Sequence, residues 1–221
     1  MIIETVLGGL LLYAAIEGGL AVIQWGYSAS KRYFTKHKYP ELFQDVQLSD
    51  KDKEMIEKCR ELLKETFPEG IEAKIKDMSA DERMALIREL IEKCNAIYDL
   101  DITKINFMSA YEIGGATCGC YQSKDNSITL NIDLISFSDP TAMGIIINTI
   151  FHEMRHAQQY RAITTEGYSF GTDEQAKAWA INFSHYIRAE VDMMLYQLQT
   201  VEADANRVAD EITKELKIKE E

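Results

Sequence analysis

The sequence predicts an α+β fold in which a small, mainly antiparallel sheet precedes a strongly apolar helix and a helical C-terminal part. Helical periodicity with capping residues marks residues 49–66 and a second segment that starts at Ser79. Apolar and polar residues then alternate between residues 104 and 134, which is the period of half-buried strands. No glycine or proline follows Gly171, so the rest of the chain is predicted to form two helices that break within residues 188–195.

Three strands are expected in the sheet. The first covers residues 104–111, and the last covers Ser127–Leu134, where apolar residues alternate with Thr129, Asn131 and other polar side chains. Between them, a glycine-rich stretch leads into a further short strand and a turn at residues 124–126.

The helix after the sheet begins where Asp139 can cap its first turn and Pro140 can occupy its first position. It is predicted to run to about Ala162 and to be buried nearly all round, because apolar side chains fill its first half. Thr172 and Gln175 form a capping box for the next helix. The apolar side chains are Ile145, Ile146, Ile147, Ile150 and Phe151.

The composition is that of a packed globular protein, with 221 residues of which 46% are hydrophobic. A formal net charge of -12 argues against nucleic acid as a partner, because phosphate binding needs a basic surface. Only residues 1–40 are basic, with four Lys or Arg against two Glu. Cys59, Cys94, Cys118 and Cys120 are predicted to be reduced thiols in a reducing compartment, with a metal site at the last two as the alternative.

Residues 6–23 are 18 residues with a single charge, Glu17. This is about the shortest length that spans a bilayer, and the basic residues after it would place the rest of the chain in the cytoplasm. A charge at mid-membrane, however, costs about 2.5–3.5 kcal/mol on insertion scales. Two interpretations stay open: residues 1–40 are a membrane-anchoring helix with a basic linker, or the helix docks on the domain formed by residues 41–221.

His152, Glu153 and His156 form the motif H-E-x-x-H within the apolar helix. Residues four apart lie on one face of a helix, so both imidazoles can bind one Zn²⁺ ion. Glu153 lies about 100° further around the helix, where its carboxylate can accept a proton from a zinc-bound water. The apolar setting favours a metal site, because unpaired polar groups are costly there.

A catalytic zinc site needs a third protein ligand. Glu202 is the preferred candidate, because the alanines beside Asp204 let its helix pack closely on the motif helix. Either Asp204 or Asn206 is expected to hydrogen-bond the outer nitrogen of a ligating histidine and so fix its tautomer. The other downstream candidates for the third ligand are Glu166, Glu174, His185, Glu190, Asp192 and Asp204.

The phrases H-E-M-R-H-A-Q-Q and E-A-D-A resemble those of gluzincin-type zinc metallopeptidases, especially small members of bacterial and phage origin. The resemblance covers roughly residues 104–210 and implies a zincin-like fold, Zn²⁺ as the cofactor and a peptide or protein as the substrate. In such enzymes an edge strand ahead of the zinc helix binds the substrate backbone. Here that strand would be Ser127–Leu134, with Thr129 and Asn131 as substrate-binding residues.

Two departures from the gluzincin pattern bear on these expectations. The gap between His156 and Glu202 is longer than in thermolysin-like members, and Asn206 stands where many members have aspartate. Because of the first departure, Glu202 is chosen as the third ligand from the sequence pattern alone. Because of the second, the residue that hydrogen-bonds the outer nitrogen of a ligating histidine stays open.

Peptide hydrolysis by this mechanism also needs a donor that stabilises the oxyanion. His185, Tyr186 and Tyr196 are candidates, of which His185 and Tyr196 are carried forward as catalytic residues beside Glu153. The alternative function is a catalytically inactive metal-binding protein that serves as an interaction module or a helical scaffold. The sequence leaves the oligomeric state open.

Overall fold

The computed structural model describes residues 32–33, 35–115 and 117–218. The chain divides into two compact units, Met1–Phe43 and Gln44–Glu221. The apolar segment at residues 6–23, with its predicted membrane anchor or docked helix, lies outside the described residues. None of the helices that are described is both long and apolar enough to cross a bilayer.

The first unit contains a 3-10 helix at Pro40–Leu42. The helices of the second unit are, in chain order, α1 (Asp50–Thr66), α2 (Ile71–Ile75), α3 (Ala80–Tyr98), α4 (Ala110–Ile113), α5 (Ile132–Ser136), α6 (Pro140–Thr164), α7 (Asp173–Ser184), α8 (Met193–Leu198) and α9 (Thr200–Thr213). Its strands are β1 (Lys104–Met108), β2 (Gly119–Gln122) and β3 (Ser127–Asn131).

Four predicted helix starts are confirmed by their caps. Ser49, Ser79 and Thr172 each accept a hydrogen bond from the backbone of the third helical residue, whose side chain bonds back to complete a capping box. Asp139 accepts hydrogen bonds from two backbone N–H groups in the first turn of α6, and Pro140 occupies the first position. These boundaries are therefore set by residues close in sequence.

The described strands form a three-stranded mixed sheet in the order β1-β3-β2. Strand β3 is parallel to β1 and antiparallel to β2. The prediction of a mainly antiparallel sheet is therefore wrong for one of the two pairings. The reason is that β1 and β2 run in opposite directions and β3 lies between them, so it must be parallel to one of the two.

Strand β3 is the central strand, and this corrects the expectation that Ser127–Leu134 is an edge strand. Both of its sides are paired and all five of its residues are buried, including Thr129 and Asn131. The strand ends at Asn131, whose side chain caps α5 by accepting a hydrogen bond from the backbone of Asp133. Thr129 and Asn131 are thus unable to present an open strand edge to a substrate. The edge strand that contacts α6 is β2.

Helix α6 lies at the centre of the second unit, where it contacts α9, α7, β2, α5 and α2. Ile146, Ile147, Ile150 and Phe151 are completely buried, as the apolar pattern predicted. Ile145 is 44% exposed, so the helix keeps one side open to solvent. The motif H-E-x-x-H thus lies on a helix that is buried on most sides and open to solvent on one side.

The C-terminal part is helical as predicted, but it breaks twice. Residues 185–192 form a loop between α7 and α8, and Gln199 separates α8 from α9. The predicted single break within residues 188–195 overlaps this loop, and the second break, at Gln199, was not predicted. The buried side chain of Gln199 explains the geometry, because it bonds both the N–H and the C=O of Ile187 and so holds the loop against the start of α9.

A buried ion-pair network joins α6 to α9 and α1. The guanidinium of Arg155 donates to Asp204 on α9 at 2.8 Å and to Asp52 on α1 at 2.6 Å. All three side chains are at most 1% exposed. Trp179 on α7 lies against the same guanidinium, with its ring centroid 4.9 Å away. Because a buried charge is tolerated only when it is paired, this network fixes the packing of the helices that carry the motif and Glu202.

We predict that Arg155→Met lowers the free energy of unfolding by about 3–5 kcal/mol, because it leaves the buried Asp52 without an ion-pair partner among the described residues and Asp204 with only the longer ion pair to Arg207. Arg161→Met is the matched control on the same helix, since Arg161 pairs with the exposed Asp101. That change should stay within about 1 kcal/mol. Urea unfolding followed by circular dichroism measures the free energy of unfolding of both variants. Equal losses of stability would contradict the prediction that the buried network contributes more than the exposed ion pair.

Candidate metal centre

Two helices bring the predicted metal ligands together. His152 and His156 lie one turn apart on α6, and their rings meet edge-on with centroids 4.6 Å apart. Glu202 lies in the first turn of α9, which packs along α6. The candidate ligand atoms of these three residues all lie within 4.8 Å of one another, so the group could hold a metal ion.

The spacing of the ligand atoms fits a tetrahedral ion. The Nε2 atoms of His152 and His156 are 3.0 Å apart. Nε2 of His152 is 3.3 Å from Oε2 of Glu202, and Nε2 of His156 is 3.3 Å from Oε1 of the same carboxylate. Ligands at the usual zinc distances of about 2.0–2.1 Å are separated by roughly 3.3 Å in tetrahedral geometry. Shifts of a few tenths of an ångström would therefore suffice to bind zinc.

The electrostatics of the centre favour a bound cation. Glu202 is 1% exposed, and its Oε2 has no hydrogen-bond partner among the described residues. Burial opposes the charge of Glu202, but the imidazoles of His156 and His152 hold its pKa below the usual range of a carboxyl. Burial also opposes a charge on His156, yet the carboxylate of Glu202 raises the pKa of His156 to about 9. A buried anion with an unpartnered oxygen is thus positioned to bind positive charge.

Gln159 makes the outer hydrogen bond that the sequence assigned to Asp204 or Asn206. Its Oε1 lies 2.9 Å from Nδ1 of His156, and its Nε2 donates to Asp204 at 2.8 Å and to the backbone O of Val201 at 3.0 Å. In the neutral imidazole that a metal binds, Nδ1 donates to Gln159 and the lone pair of His156 lies on Nε2, the atom that faces Glu202. The signal for Gln159 was its place three residues after His156, on the same helix face.

Asp204 and Asn206 take other positions than those expected of them. Asp204 is buried and reaches His156 only through Gln159, because its two oxygens accept hydrogen bonds from Arg155, Gln159 and Arg207. Asn206 lines a cavity beside His152 but makes no hydrogen bond to either histidine among the described residues. Asp204 therefore fixes α9 in place rather than touching a ligand directly.

Glu153 is held against the edge strand of the sheet. Its Oε2 accepts a hydrogen bond of 2.7 Å from the backbone N–H of Tyr121, and the side chain is largely buried. Gly119 permits this close approach of β2 to α6, because a Cβ there would lie 2.8 Å from Thr149 on α6. Oε1 of Glu153 accepts no hydrogen bond from the described residues. One oxygen of this carboxylate is thus anchored, and the other has no hydrogen-bond donor among the described residues.

The metal centre opens into a cleft. A cavity of about 770 Å³ is lined by His156, Glu153 and Glu202, and one of about 430 Å³ by His152 and Glu153. Both are also lined by Gly119, Tyr196 and Glu190, so they form one cleft with two halves. The larger half is aromatic, with rings from Tyr121, Tyr160, Phe183, Tyr186 and Tyr196 in its wall.

The three candidate oxyanion donors have different places. His185 is exposed at the end of α7, where its Nδ1 lies 2.9 Å from Oγ of Ser184, and it lines neither half of the cleft. Tyr186 donates to Oε1 of Glu202 at 2.5 Å. Tyr196 lines both halves, and burial together with the charge of Glu202 raises its pKa. The structure thus brings the two tyrosines, but not His185, to the centre.

Comparisons of this chain with protein-family models, curated proteins and solved structures found no match. Its function must therefore be inferred from the side chains of the centre. These are two imidazoles and a buried carboxylate that converge on one point, a second carboxylate with a free oxygen, and a cleft that opens onto both.

We predict that Glu202→Gln lowers the zinc affinity by more than about 100-fold, the upper end of what losing an outer hydrogen-bond partner costs. An amide oxygen carries no charge, so the variant keeps the shape of the side chain while it loses its strength as a ligand. Glu174→Gln is the control, because Glu174 is an exposed glutamate on α7 that the sequence also offered as a ligand. Competition with a chelating dye measures both affinities, and unchanged binding by Glu202→Gln would place the third ligand elsewhere.

Proposed function

We propose that this protein is a zinc-dependent peptidase that hydrolyses a peptide bond in the cleft between β2 and the 185–192 loop. The observation that carries the proposal is the convergence of His152, His156 and Glu202 beside the anchored carboxylate of Glu153. It agrees with the resemblance of the motif H-E-M-R-H-A-Q-Q to gluzincin-type metallopeptidases.

Two histidines and one glutamate are a donor set that catalytic zinc sites use, with a further position left for water or substrate. Zinc bound there supplies a water of lowered pKa and polarises the scissile carbonyl. The opening of the centre into the cleft supports a catalytic rather than a purely structural site, because structural zinc is enclosed by four protein ligands.

Glu153 is the proposed general base. Its Oε2 is fixed by the N–H of Tyr121, which orients the carboxylate along the edge of β2. Its Oε1 is then the atom that accepts a proton from water in the cleft and delivers it to the leaving amine. A carboxylate with one fixed oxygen needs little reorganisation to do this, which favours the transfer.

The outer edge of β2 is the proposed docking line for the substrate backbone. In an antiparallel pair, successive residues direct their backbone groups to alternate sides. Because the N–H of Tyr121 points to Glu153 and away from β3, the carbonyl of Tyr121 and the backbone of Gly119 lie on the same outer edge. An extended peptide can pair with these groups and so place its amide next to Glu153.

Of the two predicted oxyanion donors, His185 and Tyr196, the one proposed is Tyr196. Its ring lines both halves of the cleft, whereas His185 lines neither. Burial and the negative charge of Glu202 raise the pKa of Tyr196, so its phenol keeps the proton that it must donate.

The proposal is tested with Glu153→Gln in the zinc-loaded full chain. Cleavage of denatured casein and of a mixed peptide library should fall by about 10²–10⁴-fold, the usual contribution of a general base. Zinc content should stay near one equivalent, because Glu153 is not a ligand. Glu166→Gln is the control, since Glu166 is an exposed glutamate just beyond the same helix.

Equal cleavage by parent and Glu153→Gln would remove Glu153 from this role. A zinc-loaded parent that cleaves neither substrate pool would instead support the alternative, a metal-binding interaction module without turnover.

A further inference from the structure

The phenol of Tyr186 contacts the candidate ligand Glu202, a contact that the proposed chemistry does not use. Its hydroxyl donates a 2.5 Å hydrogen bond to Oε1 of the buried carboxylate. We propose that Tyr186 is a positioning residue that restricts Glu202 to binding the metal through one oxygen, Oε2. This inference rests on the metal centre proposed above and concerns how that centre keeps a position open.

The two oxygens of Glu202 have different surroundings. Oε1 accepts the hydrogen bond from Tyr186, which withdraws electron density from that oxygen and makes it a poorer metal ligand. Oε2 is buried, lies 3.3 Å from Nε2 of His152, and has no hydrogen-bond partner among the described residues. Oε1 also lies 3.3 Å from an imidazole, that of His156, so the two oxygens differ in the hydrogen bond and not in their distance from the histidines. The carboxylate therefore presents to the centre one oxygen that is free and one that already accepts a hydrogen bond.

Two buried amide side chains hold Tyr186 in its position beside Glu202. Gln199 accepts a hydrogen bond from the N–H of Ile187 at 3.0 Å and donates to its C=O at 2.8 Å, which fixes the residue next to Tyr186. Asn182 donates to Gln199 at 3.2 Å and accepts from the N–H of Val201 at 2.9 Å. Both amides are fully buried. The loop with Tyr186 and the first turn with Glu202 are thereby held together by the same pair of side chains.

The contact has little value as packing. The ring of Tyr186 is 40% exposed in the cleft wall, and it meets the ring of Tyr196 edge-on at 6.1 Å. If both oxygens of Glu202 bound the ion, they would take up the position that a catalytic site leaves to water. A hydrogen bond that holds back Oε1 therefore serves the reaction and not only the fold.

Cobalt reports the number of ligands directly, because its visible bands are strong in four-coordinate sites and weaken as the number rises. We expect Co²⁺ in the parent protein to give intense four-coordinate bands. Tyr186→Phe should weaken these bands, because Oε1 is released to bind, and should change the Co²⁺ affinity by about 10–100-fold. Tyr160→Phe is the control, since it removes a hydroxyl from the wall of the same cleft without touching Glu202.

Identical spectra and affinities for parent and Tyr186→Phe would overturn the role of Tyr186 while leaving the metal centre intact. A parent that binds no Co²⁺ or Zn²⁺ would overturn both. If Tyr186→Phe does not fold, the visible spectrum of Co²⁺ in the parent protein is the test. Intense four-coordinate bands would support binding of the metal through one oxygen of Glu202, and weak bands of a higher coordination number would contradict it.

Discussion

The rest of the site depends on the buried ion pairs that the guanidinium of Arg155 makes. Arg155 lies at the third position after His152, inside the motif itself, where helix geometry places it about 60° around α6 from His152 and about 100° from His156. By pairing with Asp204 it fixes the rotation of α9, and Glu202 is two residues before Asp204. By pairing with Asp52 it ties the same point to α1. These ion pairs thus hold α9 in the register in which Glu202 meets the histidines.

Burial makes this arrangement demanding. Three polar residues that converge in an apolar interior would each be costly if left unpaired. The second carboxylate, Glu153, avoids that cost through a backbone N–H of the edge strand. Both oxygens of Glu202 lie 3.3 Å from an imidazole, but only Oε1 has a hydrogen-bond partner among the described residues. A metal ion would satisfy the remaining groups together, and the aromatic cleft beside them is where we propose that a substrate binds.

The sequence was informative where the determining residues are close in the chain. Ser49, Ser79 and Asp139 predicted their helix starts, and the spacing of His152 and His156 predicted a shared face. Long-range pairing was not readable in the same way. The place of β3 at the centre of the sheet depends on β1, which lies far back in the chain, and Gln199 folds the 185–192 loop through side-chain bonds that no periodicity records. The roles of Gln159 and Tyr186 likewise depend on which faces meet in three dimensions.

The most direct test of the proposed metal centre is a crystal structure of the full chain grown with one equivalent of zinc. Diffraction data should be collected on both sides of the zinc absorption edge. We predict one strong anomalous peak about 2 Å from Nε2 of His152, Nε2 of His156 and Oε2 of Glu202. A peak held by the two histidines with a different carboxylate, or a peak only at other residues, would contradict it.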